Sequence, residues 1–205
     1  MKLYHVARTR SVRVLWLLEE LGLDYQLETM PFDPKALQSV DYLELSPFGK
    51  VPVLVDGATT LFESVAIIQY LLLHYGDGAL EPDNQSPDYG VFLQWLHFGE
   101  STLMGPMANI IQHSYHLPEE ERDPRSLARA KRQLHHYATV LDEELGKHAY
   151  LVGDEFTAAD IVVGYPFFLA KLFRVFPDDC PNLKAWFGKL TARPAYKTAT
   201  AVQES

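Results

Sequence analysis

The sequence predicts an α/β domain followed by an all-helical domain. Three observations lead to that reading. Before residue 76 the hydrophobic pattern switches repeatedly between periods of about two and about 3.6 residues. The stretch GDGALEPDNQSPDYG is then rich in Gly, Pro, Asp and Asn, as a linker is. Beyond it no alternating strand pattern returns. The expected domains are residues 1–78 and 86–205.

Taken in order, KLYHV (residues 2–6) reads as a short strand. In SVRVLWLLEELG, Val12, Leu15 and Leu18 recur at three-residue spacing, and Leu17 and Leu21 add a four-residue pair. Arg13, Glu19 and Glu20 supply the polar positions, and Gly22 stops the helix. YQLETM (residues 25–30) alternates as a second strand up to Pro31, and a short polar helix is expected between Pro34 and Asp41. VPVLVD and TTLF, parted by Gly57-Ala58, form a hairpin. The nearly uncharged run from Ser64 to Leu72 is a helix covered on more than one side. A strand, a helix and a strand imply a parallel pair, to which the hairpin adds antiparallel strands. Helices are expected near 88–113, 124–146, 158–174, 182–191 and 194–203. In GDEFTAADIVVG, Thr157 and Asp160 have the spacing of a capping box, with Phe156 placed to staple against Ile161. Asp160 is therefore read as structural.

The composition narrows the function. With 47% hydrophobic residues the chain can bury a core, which excludes a disordered segment. A net charge of -9 argues against a nucleic-acid partner, because such binding rests on neutralising phosphates. No signal peptide or membrane span is expected, since charge, Gly or His interrupts every apolar run. Cys180 is the single cysteine, so neither an intrachain disulfide nor a cysteine-rich metal site is available, which fits a cytosolic protein. His135-His136 has no third ligand at metal spacing. His97, Met107, Tyr115 and Phe167 in the helical half read as core, the alternative being that they line an acceptor pocket.

The chemistry concentrates in FGKVPVLVDGATTLFES. Pro52 has no N–H for a ladder, so it belongs at the start of a strand or on an edge. A cis bond before it would turn the Val51 backbone outward to an extended ligand; otherwise Pro52 simply begins the strand. Glu63-Ser64 stands at a helix N-terminus, where unpaired amides favour an anion. A zwitterionic amino acid reconciles that site with Glu63: its carboxylate meets the amides and Ser64, and its ammonium meets Glu63. Lys50 then suits a second carboxylate further along the ligand. The alternative is that Ser64 only caps the helix and Glu63 is solvated.

These residues resemble a known family. MKLYHVARTRSVRVLWLLEELGLDYQ, LSPFGKVPVLVDGATTLFESVAIIQYL and LVGDEFTAADIVV are similar to cytosolic glutathione transferases of the bacterial type. The resemblance implies a thioredoxin-like N-terminal domain and an all-helical C-terminal domain contributing the acceptor-substrate site. It implies that Val51 binds the cysteinyl backbone of glutathione beside a cis Pro52. Glu63 and Ser64 would hold the γ-glutamyl end and Lys50 the glycyl carboxylate. Thiol activation falls to the HVARTRS loop, where Thr9 and Ser11 are the candidate donors and Arg10 an alternative. Ser11 is also a good helix N-cap, which would make it structural. Tyr4, inside the first strand, is not given the activating role.

The expected activity is conjugation of glutathione, as co-substrate, to a small apolar electrophile, in a cytoplasmic homodimer. No prosthetic group, metal, nucleic acid or membrane is expected. Glutathione-dependent disulfide or peroxide reduction is the enzymatic alternative, and a glutathione-binding or interaction protein without turnover is the non-enzymatic one.

Overall fold

A computed structural model describes residues 1–202 of the chain. The chain divides into two compact units, Met1–Leu80 together with the segment from Thr191 onward, and Glu81–Leu190. The first unit is built on a four-stranded sheet. β1 (Lys2–His5) is followed by α1 (Ser11–Glu20) and β2 (Gln26–Thr29), and the two strands run parallel with Leu3 opposite Leu27. After α2 (Pro34–Leu37) and α3 (Val40–Leu45) come β3 (Val53–Asp56) and β4 (Thr59–Phe62). β3 is antiparallel to both β1 and β4, so the order is β2-β1-β3-β4. Gly57 turns the hairpin at φ 58°, a left-handed value that glycine adopts without a Cβ penalty. α4 (Ser64–Tyr75) completes the expected series.

The single polar helix expected from Pro34 to Asp41 is two short helices. Asp33 caps α2 by accepting from the Lys35 N–H at 3.0 Å. Ser39 is extended, with φ -65° and ψ 148°, and this interrupts the helical path before α3.

The second unit is helical. The expected helix over 88–113 is α5 (Asp88–His97), a π-helical turn (Phe98–Thr102), α6 (Met104–Ile111) and a second π-helical turn (Gln112–His116). Pro106 explains part of the first widening, because it cannot donate the amide bond that a regular α-helix needs there. Gly99 lies so close to Val162 that an added Cβ would sit 2.8 Å from its Cγ1. A 3-10 turn (Glu119–Glu121) leads to α7 (Pro124–Leu145), whose N-cap Asp123 accepts from the Arg125 and Ser126 amides. α8 (Ala158–Leu172) begins with the expected capping box, the Thr157 N–H donating to Asp160 Oδ2 at 2.9 Å. Asp160 also accepts from the Leu151 N–H and from Trp186 Nε1, which lies in α9 (Pro181–Ala192). Burial pushes its carboxyl up while these donors pull it down. Phe156 meets the ring of Tyr150. Met107 and Phe167 are core residues, Tyr115 stacks on Phe173, and His135 pairs with exposed Asp179.

The last element, α10 (Pro194–Ala201), packs with the first unit rather than with the helical residues assigned to 86–205. Position 203, where the sequence ended this helix, lies outside the described residues. Tyr196 meets Trp16 of α1 edge-on at 4.9 Å. Arg193 donates to both Glu20 carboxylate oxygens, at 2.6 and 2.7 Å, and Trp16 Nε1 donates to Glu20 at 2.8 Å. With the sheet and α4 on one side and α10 on the other, every residue of α1 from Ser11 to Leu18 is buried. Among the described residues no helix is long and apolar enough to cross a membrane.

Candidate functional site

The ladder register draws the predicted residues together. Val53 is opposite Phe62 across β3–β4 and opposite Tyr4 across β1–β3. Val51 comes two residues before this pairing begins, as Val6 and Ser64 come two residues after Tyr4 and Phe62 on the antiparallel neighbours. The start of β3 is therefore flanked by the β1–α1 turn and the β4–α4 turn.

The Val51–Pro52 peptide is cis. Among the described residues neither the N–H nor the C=O of Val51 makes a hydrogen bond. The backbone leading into it is held firmly. Tyr42 and Ser46 hydroxyls each donate to the Lys50 carbonyl at 2.8 Å, and the Lys50 N–H donates to Ser46 Oγ at 3.0 Å. Burial pushes the Tyr42 hydroxyl up to about 12, so it remains a proton donor. Gly49 makes this approach possible: its φ is 58°, and a Cβ there would lie 2.6 Å from the Leu37 carbonyl oxygen. The Lys50 side chain is exposed, while Pro52 is buried.

At the other flank, Glu63 takes φ 72° and precedes α4, which starts without a side-chain cap. The first amides of the helix are thus available to an anion. Glu63 is exposed and Ser64 is buried. Arg13 Nη1 donates to Ser64 Oγ at 3.3 Å, which leaves the Ser64 O–H able to donate elsewhere. Sequence reasoning missed Arg13 by counting it among the polar positions of α1. It is wholly buried instead, with its guanidinium turned to Ser64 at the start of α4. A single cation inside an otherwise apolar run, SVRVLWLL, was the available signal.

In the β1–α1 turn, Arg8 has φ 63° and Thr9 is half-buried. Ser11 is not the N-cap. Arg10 occupies that position in helical geometry without a side-chain cap, and Ser11 is the first helical residue. Its hydroxyl is wholly buried and points back into the turn. There it accepts from the Val6 N–H at 3.2 Å and lies 3.1 Å from the Val6 carbonyl oxygen. His5 Nδ1 and Thr9 Oγ1 are each 2.9 Å away. Thr9 Oγ1 donates to the Val6 carbonyl at 2.8 Å, and of the two residues only Thr9 is partly exposed. Tyr4 packs on Tyr42 and under Lys2 Nζ. His5 escaped the sequence reading because a strand histidine carries no spacing signal. Burial lowers its pKa to about 4, so the ring is neutral. Among the described residues no cluster of three His, Cys, Asp or Glu could hold a metal.

The first unit thus holds uncapped helix amides, an unbonded backbone pair and a half-buried residue's hydroxyl at a helix mouth. Comparison with known proteins gives a consistent result. Residues 1–72 match the model of the glutathione S-transferase N-terminal domain, and 103–194 that of the C-terminal domain. The chain is 31% identical to glutathione S-transferase GstB of Escherichia coli strain K12, over 96% of this chain and 95% of the relative. It is 28% identical to glutathione S-transferase 3 of Schizosaccharomyces pombe, over 96% and 85%. Among solved structures, the theta class glutathione S-transferase of Xanthomonas axonopodis pv. citri, with glutathione bound, aligns with a TM-score of 0.85 at 30% identity. That alignment covers 100% of this chain and 98% of the other.

Proposed function

Because the chain belongs to the glutathione S-transferase family, we propose that it conjugates glutathione to a small apolar electrophile. The observation that carries this reading is the unbonded Val51 backbone just before β3 together with the uncapped start of α4 just after β4, the two strands being paired at Val53 and Phe62. A γ-glutamyl carboxylate is received by the Ser64 hydroxyl and the first amides of α4, and the neighbouring ammonium by Glu63. The cysteinyl amide and carbonyl pair with Val51, beside Pro52. Lys50 meets the glycyl carboxylate. Held in this way, the cysteine sulfur is directed towards the β1–α1 turn, where Thr9 donates to the thiolate.

A free thiol has a pKa of about 8.5, so only a few per cent is ionised at neutral pH. A hydrogen bond to sulfur and the positive end of α1 both favour the anion. The thiolate attacks the electrophilic carbon, a carbon–sulfur bond forms, and the leaving group departs with its electron pair or, in an addition, the acceptor takes up a proton. The protein contributes orientation and charge stabilisation rather than a covalent intermediate. Buried Cys180 favours no protein-thiol route. A homodimer in the cytoplasm completes the proposal, with residues 1–78 as the glutathione-binding domain and the helical domain from residue 86, apart from α10, contributing the acceptor site.

Calorimetry with glutathione, followed by product identification over a panel of aryl halides, activated alkenes and a disulfide, tests the proposal. Glutathione binding with a thioether product is the expected result. Binding accompanied only by disulfide reduction would transfer the chain to the reductive reading. Binding without any product would make it a glutathione-binding protein.

A further inference from the structure

Behind Thr9 lies a buried donor chain that nothing in the proposed reaction uses. His5 is fully buried in β1, and its Nε2 has no hydrogen-bond partner among the described residues. Its Nδ1 is 2.9 Å from Ser11 Oγ, which is itself 2.9 Å from Thr9 Oγ1. We propose that His5 is a positioning residue: its Nδ1–H donates to Ser11, which orients the Ser11 and Thr9 hydroxyl protons in series towards the bound thiolate. This rests on the reading of Thr9 as the thiolate donor.

The direction follows from counting protons. A neutral imidazole carries one N–H. Placed on Nε2 it would be a buried donor with nothing to meet, whereas placed on Nδ1 it meets Ser11 Oγ. Orphaned buried N–H groups are rarer than under-used acceptors, so the network assigns the proton to Nδ1. Ser11 Oγ then accepts two donors, the His5 Nδ1–H and the Val6 N–H at 3.2 Å. Both of its lone pairs are occupied, so it cannot accept from Thr9. The Ser11 proton is left with two destinations, Thr9 Oγ1 at 2.9 Å or the Val6 carbonyl at 3.1 Å. That carbonyl already receives the Thr9 N–H at 3.3 Å and the Thr9 hydroxyl at 2.8 Å, which favours Thr9 Oγ1 as the acceptor. With Ser11 donating to it, Thr9 gives its own proton either to Val6 or outward to a ligand. A thiolate is the stronger acceptor of the two because it is charged. Each donor in such a series polarises the next. The neutral state of His5, which burial enforces, keeps Nε2 without a proton.

The test compares three substitutions at His5, alone and combined with Thr9→Ala. His5→Phe keeps a ring but has no donor, His5→Leu is the smaller donor-free variant, and His5→Asn can set an amide N–H where Nδ1 stands. The readouts are the pKa of enzyme-bound glutathione, from thiolate absorbance at saturation, and the kcat and KM for glutathione. His5→Phe and His5→Leu are expected to raise the thiol pKa by about half to one unit. Below that pKa, kcat should fall about three- to ten-fold with KM within two-fold. His5→Asn should recover most of the shift, which a purely structural role would not do. In the Thr9→Ala background, His5→Phe should add no further shift. A donor-free variant that binds glutathione with an unchanged thiol pKa overturns the proposal, and so does an equal shift in His5→Asn. An additive shift in the double variant also overturns it. If Thr9→Ala alone leaves the thiol pKa unmoved, the assignment of Thr9 itself has failed, which is a distinguishable result.

Discussion

Replacing Ser11 tests most directly how the β1–α1 turn is held. Ser11→Ala removes the oxygen that accepts the Val6 N–H and that sits against His5 Nδ1, both inside the fold. An orphaned buried amide costs about 1–3 kcal/mol, and the lost bond to His5 adds about 1. The expected destabilisation is therefore about 2–4 kcal/mol. For a chain of this size that corresponds to a melting temperature lower by roughly 5–15 °C. Thr9→Ala removes a half-buried hydroxyl and should cost about 1 kcal/mol or less. Ser11→Asp separates this account from helix capping. Aspartate is as good an N-cap as serine, so a capping role predicts wild-type stability. A hub buried beside a carbonyl oxygen predicts a loss larger than that of alanine, because a carboxylate would be desolvated there. Urea denaturation of the three variants, followed through the first unit by Trp16 fluorescence with Trp95 and Trp186 replaced by Phe, is the assay. If Ser11→Asp unfolds at the wild-type urea concentration, or Thr9→Ala costs as much as Ser11→Ala, the hub reasoning is wrong.

Three further outcomes follow from the same structure. Ser64→Ala should weaken glutathione binding about ten- to a hundred-fold by calorimetry, since it removes a hydrogen bond to a charged group worth about 1.5–3 kcal/mol; unchanged affinity would take Ser64 out of the site. Arg193→Ala should cost about 1–3 kcal/mol in a denaturation experiment, because Glu20, largely buried, loses a bidentate partner and α10 loses its anchor to α1. Acid stability carries the signature of His5. Its folded pKa of about 4 lies below the unfolded value of about 6.5, so its contribution is present above 6.5 and is lost as pH falls towards 4. The loss amounts to about 3 kcal/mol across that window, and His5→Phe should flatten the stability–pH curve there.

Several features were legible because their causes are local. The GA turn, the stop at Gly22 and the Thr157–Asp160 box each depend on residues within a few positions of one another. The residues proposed to meet glutathione, Val51, Glu63 and Ser64, stand out in the sequence for a related reason: a proline at a strand start and a short polar pair at a helix start announce unpaired backbone. Within the helix expected over 88–113, Pro106 was a local sign of a break, whereas the close approach of Val162 to Gly99, sixty-three positions away, had none. Ser11 was misread because a serine before an apolar helix satisfies the capping rule equally well whether its hydroxyl turns forward or back.

The sequence by itself determined the order of the strands, the division between α/β and helical segments, and which strand end is proposed to bear the chemistry. These rest on hydrophobic period and turn residues, which act over short stretches of chain. Only the tertiary structure decided that Arg13 is an interior cation beside Ser64, that Ser11 and His5 stand behind Thr9, and that α10 belongs with α1. The physical reason is shared. Whether a polar group faces water or becomes part of a buried network depends on what covers it, and here the cover over α1 comes from the far end of the chain.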